Sequence, residues 1–130
     1  MFKLSGKRPT TLGIHDGKLA PCPGSPNCVS SQAGDGGHSI APLRFTGDAR
    51  AAMDKLKAIV QAMPRTEIID RRPGYLYAEF STALMGFVDD VEFYCDGQVI
   101  HVRSASRLGY SDLGVNRKRV EAVRAAFERA

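Results

Sequence analysis

The chain has 130 residues, the length of one domain. Hydrophobic residues make up 43% and charged residues 25%, which excludes a disordered tail and a collagen-like repeat. Eighteen Lys and Arg against 14 Asp and Glu leave a net charge of +4, a mild bias toward anionic partners that falls short of what a nucleic-acid module usually carries.

Residues 1–45 hold seven of the 13 glycines and five of the seven prolines, without helical or strand periodicity. They read as an irregular arm laid on a core formed by residues 46–130. Met1 to Pro9 lacks the apolar stretch of a signal peptide. The chain therefore reads as cytoplasmic, and as a cell-envelope protein if its start has been trimmed. Within the arm, Cys22 and Cys28 have five residues between them and can pair in an oxidising compartment, leaving Cys95 free. A tight proline-ordered loop without a disulfide is the other structural reading.

Residues 48–63 predict a helix, capped by Thr46 or Asp48, with Met53, Leu56, Val60 and Met63 at helical spacing and Pro64 ending it. Thr66 to Arg71 is strand-like, and Pro73-Gly74 marks a turn. In Tyr75 to Ser81, Leu76, Ala78 and Phe80 share one face while Tyr75, Tyr77 and Glu79 share the other. The longest run in the second half without charged or strongly polar residues is Ala83 to Val88, far short of the ~20 residues a membrane-spanning helix needs.

Residues 87–95 and 98–103 flank Asp96-Gly97, a strong signal for a two-residue hairpin turn. That turn sets Cys95 opposite Gln98, Glu92 opposite His101 and Asp90 opposite Arg103. Val91, Phe93, Cys95, Ile100 and Val102 then form an apolar face, and Asp90, Glu92, His101 and Arg103 a polar one. A final helix spans about Asn116 to Arg129, with Val120, Val123 and Phe127 on its apolar side. The expected fold is α+β: a four-stranded antiparallel meander with two helices on one face, preceded by the Pro/Gly-rich arm. The polar face is covered by the arm or by a ligand.

The connection before the last helix carries the main chemistry. Arg117-Lys118-Arg119 places three cations at a helix N-terminus, where carboxylates are normally favoured. Either internal carboxylates neutralise them, or an anion binds among Arg103, Ser104, Ser106, Arg107, Tyr110, Asp112 and Arg117, beside Asp90, Glu92 and His101. The partner would be a small anionic molecule or an acidic protein group. An alternative is a thiol-dependent enzyme with Cys28 as nucleophile or redox thiol and His101 as base; another is a structural or adaptor domain. Cysteine and histidine spacings make no zinc set, and no cofactor motif is present. The basic side of the last helix reads as a solvated face rather than a nucleic-acid surface.

Three stretches together carry a resemblance: Leu19-Ala20-Pro21-Cys22-Pro23 with Pro26-Asn27-Cys28-Val29-Ser30-Ser31, Phe87 to Phe93, and Ile100 to Glu121. The chain resembles, over roughly residues 12–127, the domain of unknown function family numbered 1499. That family occurs in bacteria and plastid-containing eukaryotes and has no settled activity. Its distinctive residues match here at Cys22, Asn27, Cys28, Asp89, Asp90, Glu92, His101, Arg103, Ser104, Ser106, Arg107, Tyr110, Asp112, Asn116 and Arg117. The resemblance implies that the Cys22–Cys28 loop meets the polar face. Some bacterial members look like lipoproteins, but no lipobox cysteine precedes Arg8-Pro9 here.

Overall fold

In the computed structural model, which describes residues 5–130, the elements in chain order are β1 (Cys28–Ser30), β2 (Leu43–Arg44), α1 (Ala49–Gln61), β3 (Thr66–Arg72), β4 (Tyr75–Ser81), β5 (Val88–Cys95), β6 (Val99–Ser106) and α2 (Val115–Arg129). The reading of Met1 to Pro9 rests partly on residues 1–4, which lie outside the described residues. No helix among the described residues is long and apolar enough to cross a membrane.

Asp48 opens α1 by accepting the Ala51 amide at 2.9 Å, which satisfies one of the free amides of the first turn. Met53, Leu56 and Val60 then bury one stripe of the helix. On α2 the buried stripe is Val120, Val123 and Phe127. Both stripes join Leu76, Ala78, Phe80, Val91, Phe93, Ile100 and Val102 in one core, so both helices lie on the apolar face of the sheet.

The sheet has six antiparallel strands, not four. The path is β1-β6-β5-β4-β3, with β2 also on β6. Both unexpected strands come from the arm and divide the outer edge of β6 between them. β2 pairs Leu43 with Ile100, and β1 pairs Val29 with Ser104. Strands of two and three residues are too short to show a period. What places them is the unpaired edge of β6, whose backbone groups need partners.

The β5–β6 register also differs from the expectation. Cys95 faces Ile100, Glu92 faces Arg103 and Tyr94 faces His101, so the expected pairs Glu92–His101 and Asp90–Arg103 do not form. The Asp96 amide donates to the Val99 carbonyl at 3.2 Å, which puts Gly97-Gln98, not Asp96-Gly97, at the turn centre. The Asp96 carboxylate accepts the Gln98 and Val99 amides at 2.9 and 3.0 Å, holding Asp96 just before the turn. The slip is two residues, the side-chain period of a strand, so each residue keeps its predicted face.

Another Asp-Gly pair does form the tight turn. Asp16 and Gly17 have φ of 53° and 75°, and His15 and Lys18 exchange backbone hydrogen bonds of 2.8 and 3.1 Å around them. Positive φ at both central residues is the type I′ signature. Cys22 and Cys28 are disulfide-bonded, which pins the arm to the end of β1. A sequence separation of 6 gives a chain-entropy contribution of roughly 2 kcal/mol. Cys22→Ser should lower the urea-unfolding free energy by about that amount. An unchanged midpoint would show that the bridge does not constrain the arm.

Candidate functional site

Alternation along β4, β5 and β6 puts Tyr75, Tyr77, Glu79, Asp90, Glu92, His101 and Arg103 on the face away from the helices. The arm covers that face. Leu12 and Leu19 pack on Tyr75 and Tyr77, and the Gly13 amide donates to Glu92 at 2.8 Å. Asp90 and Glu92 are consequently buried, with exposures of 2% and 1%. Buried carboxylates at this depth need partners.

Arg107 supplies most of them. Its Nε and Nη2 donate to the two oxygens of Asp90, each at 2.9 Å, and Nη2 also donates to Glu79 at 2.6 Å. Tyr77 donates its hydroxyl to Asp90, and Arg8 of the arm donates to Glu79 at 2.7 Å. The hydrogen bonds to Asp90 raise the Arg107 pKa further above its ordinary range, with burial working against them. Burial, then the bonds to Asp90 and Glu92 respectively, push the Tyr77 and Tyr75 hydroxyls upward. Glu79 feels burial as an upward push, but hydrogen bonds from Arg8, Arg107 and Tyr77 outweigh it and hold its pKa low.

The connection to α2 is also internally satisfied. Asp112 accepts the Gly114 amide at 2.8 Å and the Asn116 amide at 3.0 Å, so a carboxylate of the chain itself occupies the helix N-terminus. Arg119 pairs with buried Asp89, and Arg117 donates to the carbonyls of Ser39 and Gly37 at 2.9 and 3.4 Å. Asn116, fully buried, donates to Asp112 at 2.7 Å and to Ser106 at 2.9 Å, and it accepts from Ser104 at 2.6 Å. Ser104 and Ser106 therefore face the helices, not the polar layer. Tyr110 is 71% exposed and apart from both groups. The structure thus divides the predicted ligand residues between two faces of the sheet.

Glu79 and Asp112 sit below their ordinary pKa values when folded. Stability from such groups is present above the unfolded carboxylate range and is lost as pH falls from there through their lower folded values. Burial raises Asp89 despite Arg119, and this group acts in the opposite sense. Asp35 and Asp96 are also held low, so four groups against one predict a net loss, and thermal unfolding should move to lower temperature as pH drops below about 4.5. A rise in melting temperature over that interval would contradict this assignment.

Cys28 as a nucleophile with His101 as its base does not fit the geometry. Cys28 is fully buried and held in the disulfide with Cys22, so it has no thiolate to offer. His101 is hydrogen-bonded to neither Cys28 nor Glu92. Its Nε2 donates to the Asp96 carboxylate at 3.1 Å, and its Nδ1 lies 3.1 Å from the Ser31 hydroxyl. Among the described residues, no group of His, Cys, Asp and Glu side chains is placed to hold a metal ion.

Arg103 differs from its neighbours. It is 8% exposed, yet no carboxylate lies within 4.0 Å of it among the described residues. Its Nη2 donates to the Pro21 carbonyl at 3.2 Å, and its buried Nε has no partner. One oxygen of Glu92, directly across the strands, also lacks a partner. Burial pushes the Arg103 pKa downward, against the fields of Glu92 and Asp90.

A groove of about 700 Å³ lies between parts of the arm; Arg103 does not line it but sits beneath two residues that do. Ser30, which faces Arg103, and Pro21, which accepts from it, both line this groove. Lys18 and His15 stand on its wall, set there by the Asp16-Gly17 turn. Gln32 ties that turn down by accepting the Leu19 amide at 2.9 Å and donating to the Gly17 carbonyl at 3.3 Å. Sequence reasoning missed this wall. The Asp16-Gly17 dipeptide was the available signal, but short flanks hid it.

These features define a small α+β domain whose charged sheet face is sealed by its own arm. The chain matches the family model described as Protein of unknown function (DUF1499) over residues 18–127, nearly its whole length, and it belongs to that family. No curated protein matches the sequence.

Proposed function

We propose that the domain binds a small anion, with Arg103 as the charge that recognises it and the arm groove as its seat. The observation behind this reading is a buried guanidinium without a carboxylate partner. Burying such a charge is costly unless an anion or several hydrogen bonds compensate it. The half-buried Arg107 and Arg119 each have one or more carboxylates, and Arg103 does not. Lys18 lines the groove together with one carboxylate, Asp35, whose partner is His38, and the Thr10 and Thr11 hydroxyls are available as donors. In this reading Arg107 and Arg117 position the fold and do not touch the ligand.

The test is a thermal-shift titration of the full chain with phosphate, sulfate and succinate at low salt. A ligand at about 100 times its Kd stabilises a fold by roughly 2.7 kcal/mol. Lys18→Glu, on an exposed side chain, should fold normally and reduce the shift at least tenfold in ligand concentration. If wild type shows no shift with any of these anions, the reading fails. The charges would then serve only one another, as in a structural or adaptor domain.

A further inference from the structure

A second concavity lies on the helix side of the sheet, where the β3–β4 and β5–β6 turns meet the start of α1. Its volume is about 670 Å³, within the range of small-molecule sites. Met53, Leu76 and Pro73 give it an apolar floor, and the free thiol of Cys95 lines it. Four cations stand around it, Arg50, Lys57, Arg71 and Arg72, against one lining carboxylate, Asp54.

The cations are not equivalent. Arg71 is bonded to Asp54; Arg72 pairs with Asp70 at 3.2 Å and stacks over the Tyr75 ring at 4.7 Å. Arg50 and Lys57 have no carboxylate within 4.0 Å among the described residues. They are seven residues apart on α1, about two turns, with Met53 between them on the same stripe. An apolar floor beneath two uncompensated cations matches one ligand shape: an apolar body carrying an anionic head.

We infer that this cleft is a ligand site for a small organic anion with an apolar body, of the kind represented by a medium-chain carboxylate. The chain of the ligand lies on Met53, Leu76 and Pro73, and its carboxylate sits between Arg50 and Lys57. The inference is independent of the arm groove, with which this cleft shares no lining residue.

Cys95 provides the readout. With Cys22 and Cys28 joined, it is the one free thiol of the chain, so its alkylation by neutral iodoacetamide reports occupancy of the cleft. Octanoate at saturation should slow that alkylation at least fivefold, and octyltrimethylammonium should not. The charge-reversed double variant Arg50→Glu/Lys57→Glu should lose the protection by octanoate while keeping the wild-type unfolding curve. Lys18→Glu should leave the protection intact, which separates this site from the arm groove. If the thiol reacts too slowly to time, the melting temperature reads the same comparison. Equal effects of octanoate and octyltrimethylammonium would overturn the anion selectivity, and no effect of octanoate would overturn the site.

Discussion

Arg107→Ala is expected to destabilise the domain by about 3–5 kcal/mol, the usual cost of removing one partner from a buried ion pair. The reason is local. Asp90 is 2% exposed and receives two of its hydrogen bonds from this guanidinium. Without it, Asp90 keeps the Tyr77 hydroxyl but has no ion-pair partner within 4.0 Å, and Glu79 retains Arg8 and the Tyr77 hydroxyl. Urea unfolding of the variant measures the loss. Replacing Asp90 by Asn in the same chain should recover part of it, because the stranded charge is then absent. A loss below about 1 kcal/mol, the scale of exposed pairs, would mean that the arm does not exclude water from this layer.

Asn116→Ala is expected to cost about 3 kcal/mol, because it strands several buried groups at once. This side chain joins α2 to β6 through Ser104 and Ser106, and it donates to the Asn27 carbonyl of the arm at 3.3 Å. Each unsatisfied buried group is worth about 1–3 kcal/mol, and relaxation recovers some of that. Differential scanning calorimetry of the variant should show a melting temperature lowered by about 10 °C or more, given roughly 2–8 °C per kcal/mol for domains of this size. A shift of less than about 3 °C would show that the two serines and Asp112 re-pair without it.

Much of the core could be read from periodicity, and the reason is physical. β4, β5 and β6 are seven or eight residues long with apolar and polar side chains alternating between two faces, so the sequence shows which face is which. The helices likewise show their buried stripes at Met53, Leu56 and Val60, and at Val120, Val123 and Phe127. The arm could not be read this way. Its contacts join residues far apart in sequence, as Arg8 to Glu79 and Gly13 to Glu92 do, and no local pattern encodes them. The two Asp-Gly dipeptides make the same point. Asp16-Gly17 adopts the tight turn that the dipeptide favours, while the Asp96 side chain captures two amides and moves the turn one residue on.

The candidate site was legible in composition more than in geometry. The sequence set the polar face and its arginines together but left open whether carboxylates or a ligand neutralise them. Burial decides most of those cases in favour of carboxylates: Arg107 takes Asp90 and Glu79, and Arg119 takes Asp89. Arg117 instead holds arm carbonyls. Arg103 stands apart: the strand register places it opposite Glu92, one oxygen of which accepts from Tyr75 and Gly13 while the other, like the Arg103 Nε, has no partner.

Arginine side-chain nuclear magnetic resonance tests the central claim most directly, by following the Nε–H signals of the native chain during a phosphate titration at low salt. The anion reading predicts that the Arg103 signal moves saturably while that of Arg107, fixed to Asp90, stays in place. A titration that leaves Arg103 unmoved, or that shifts only exposed arginines such as Arg50 in proportion to ionic strength, would contradict it.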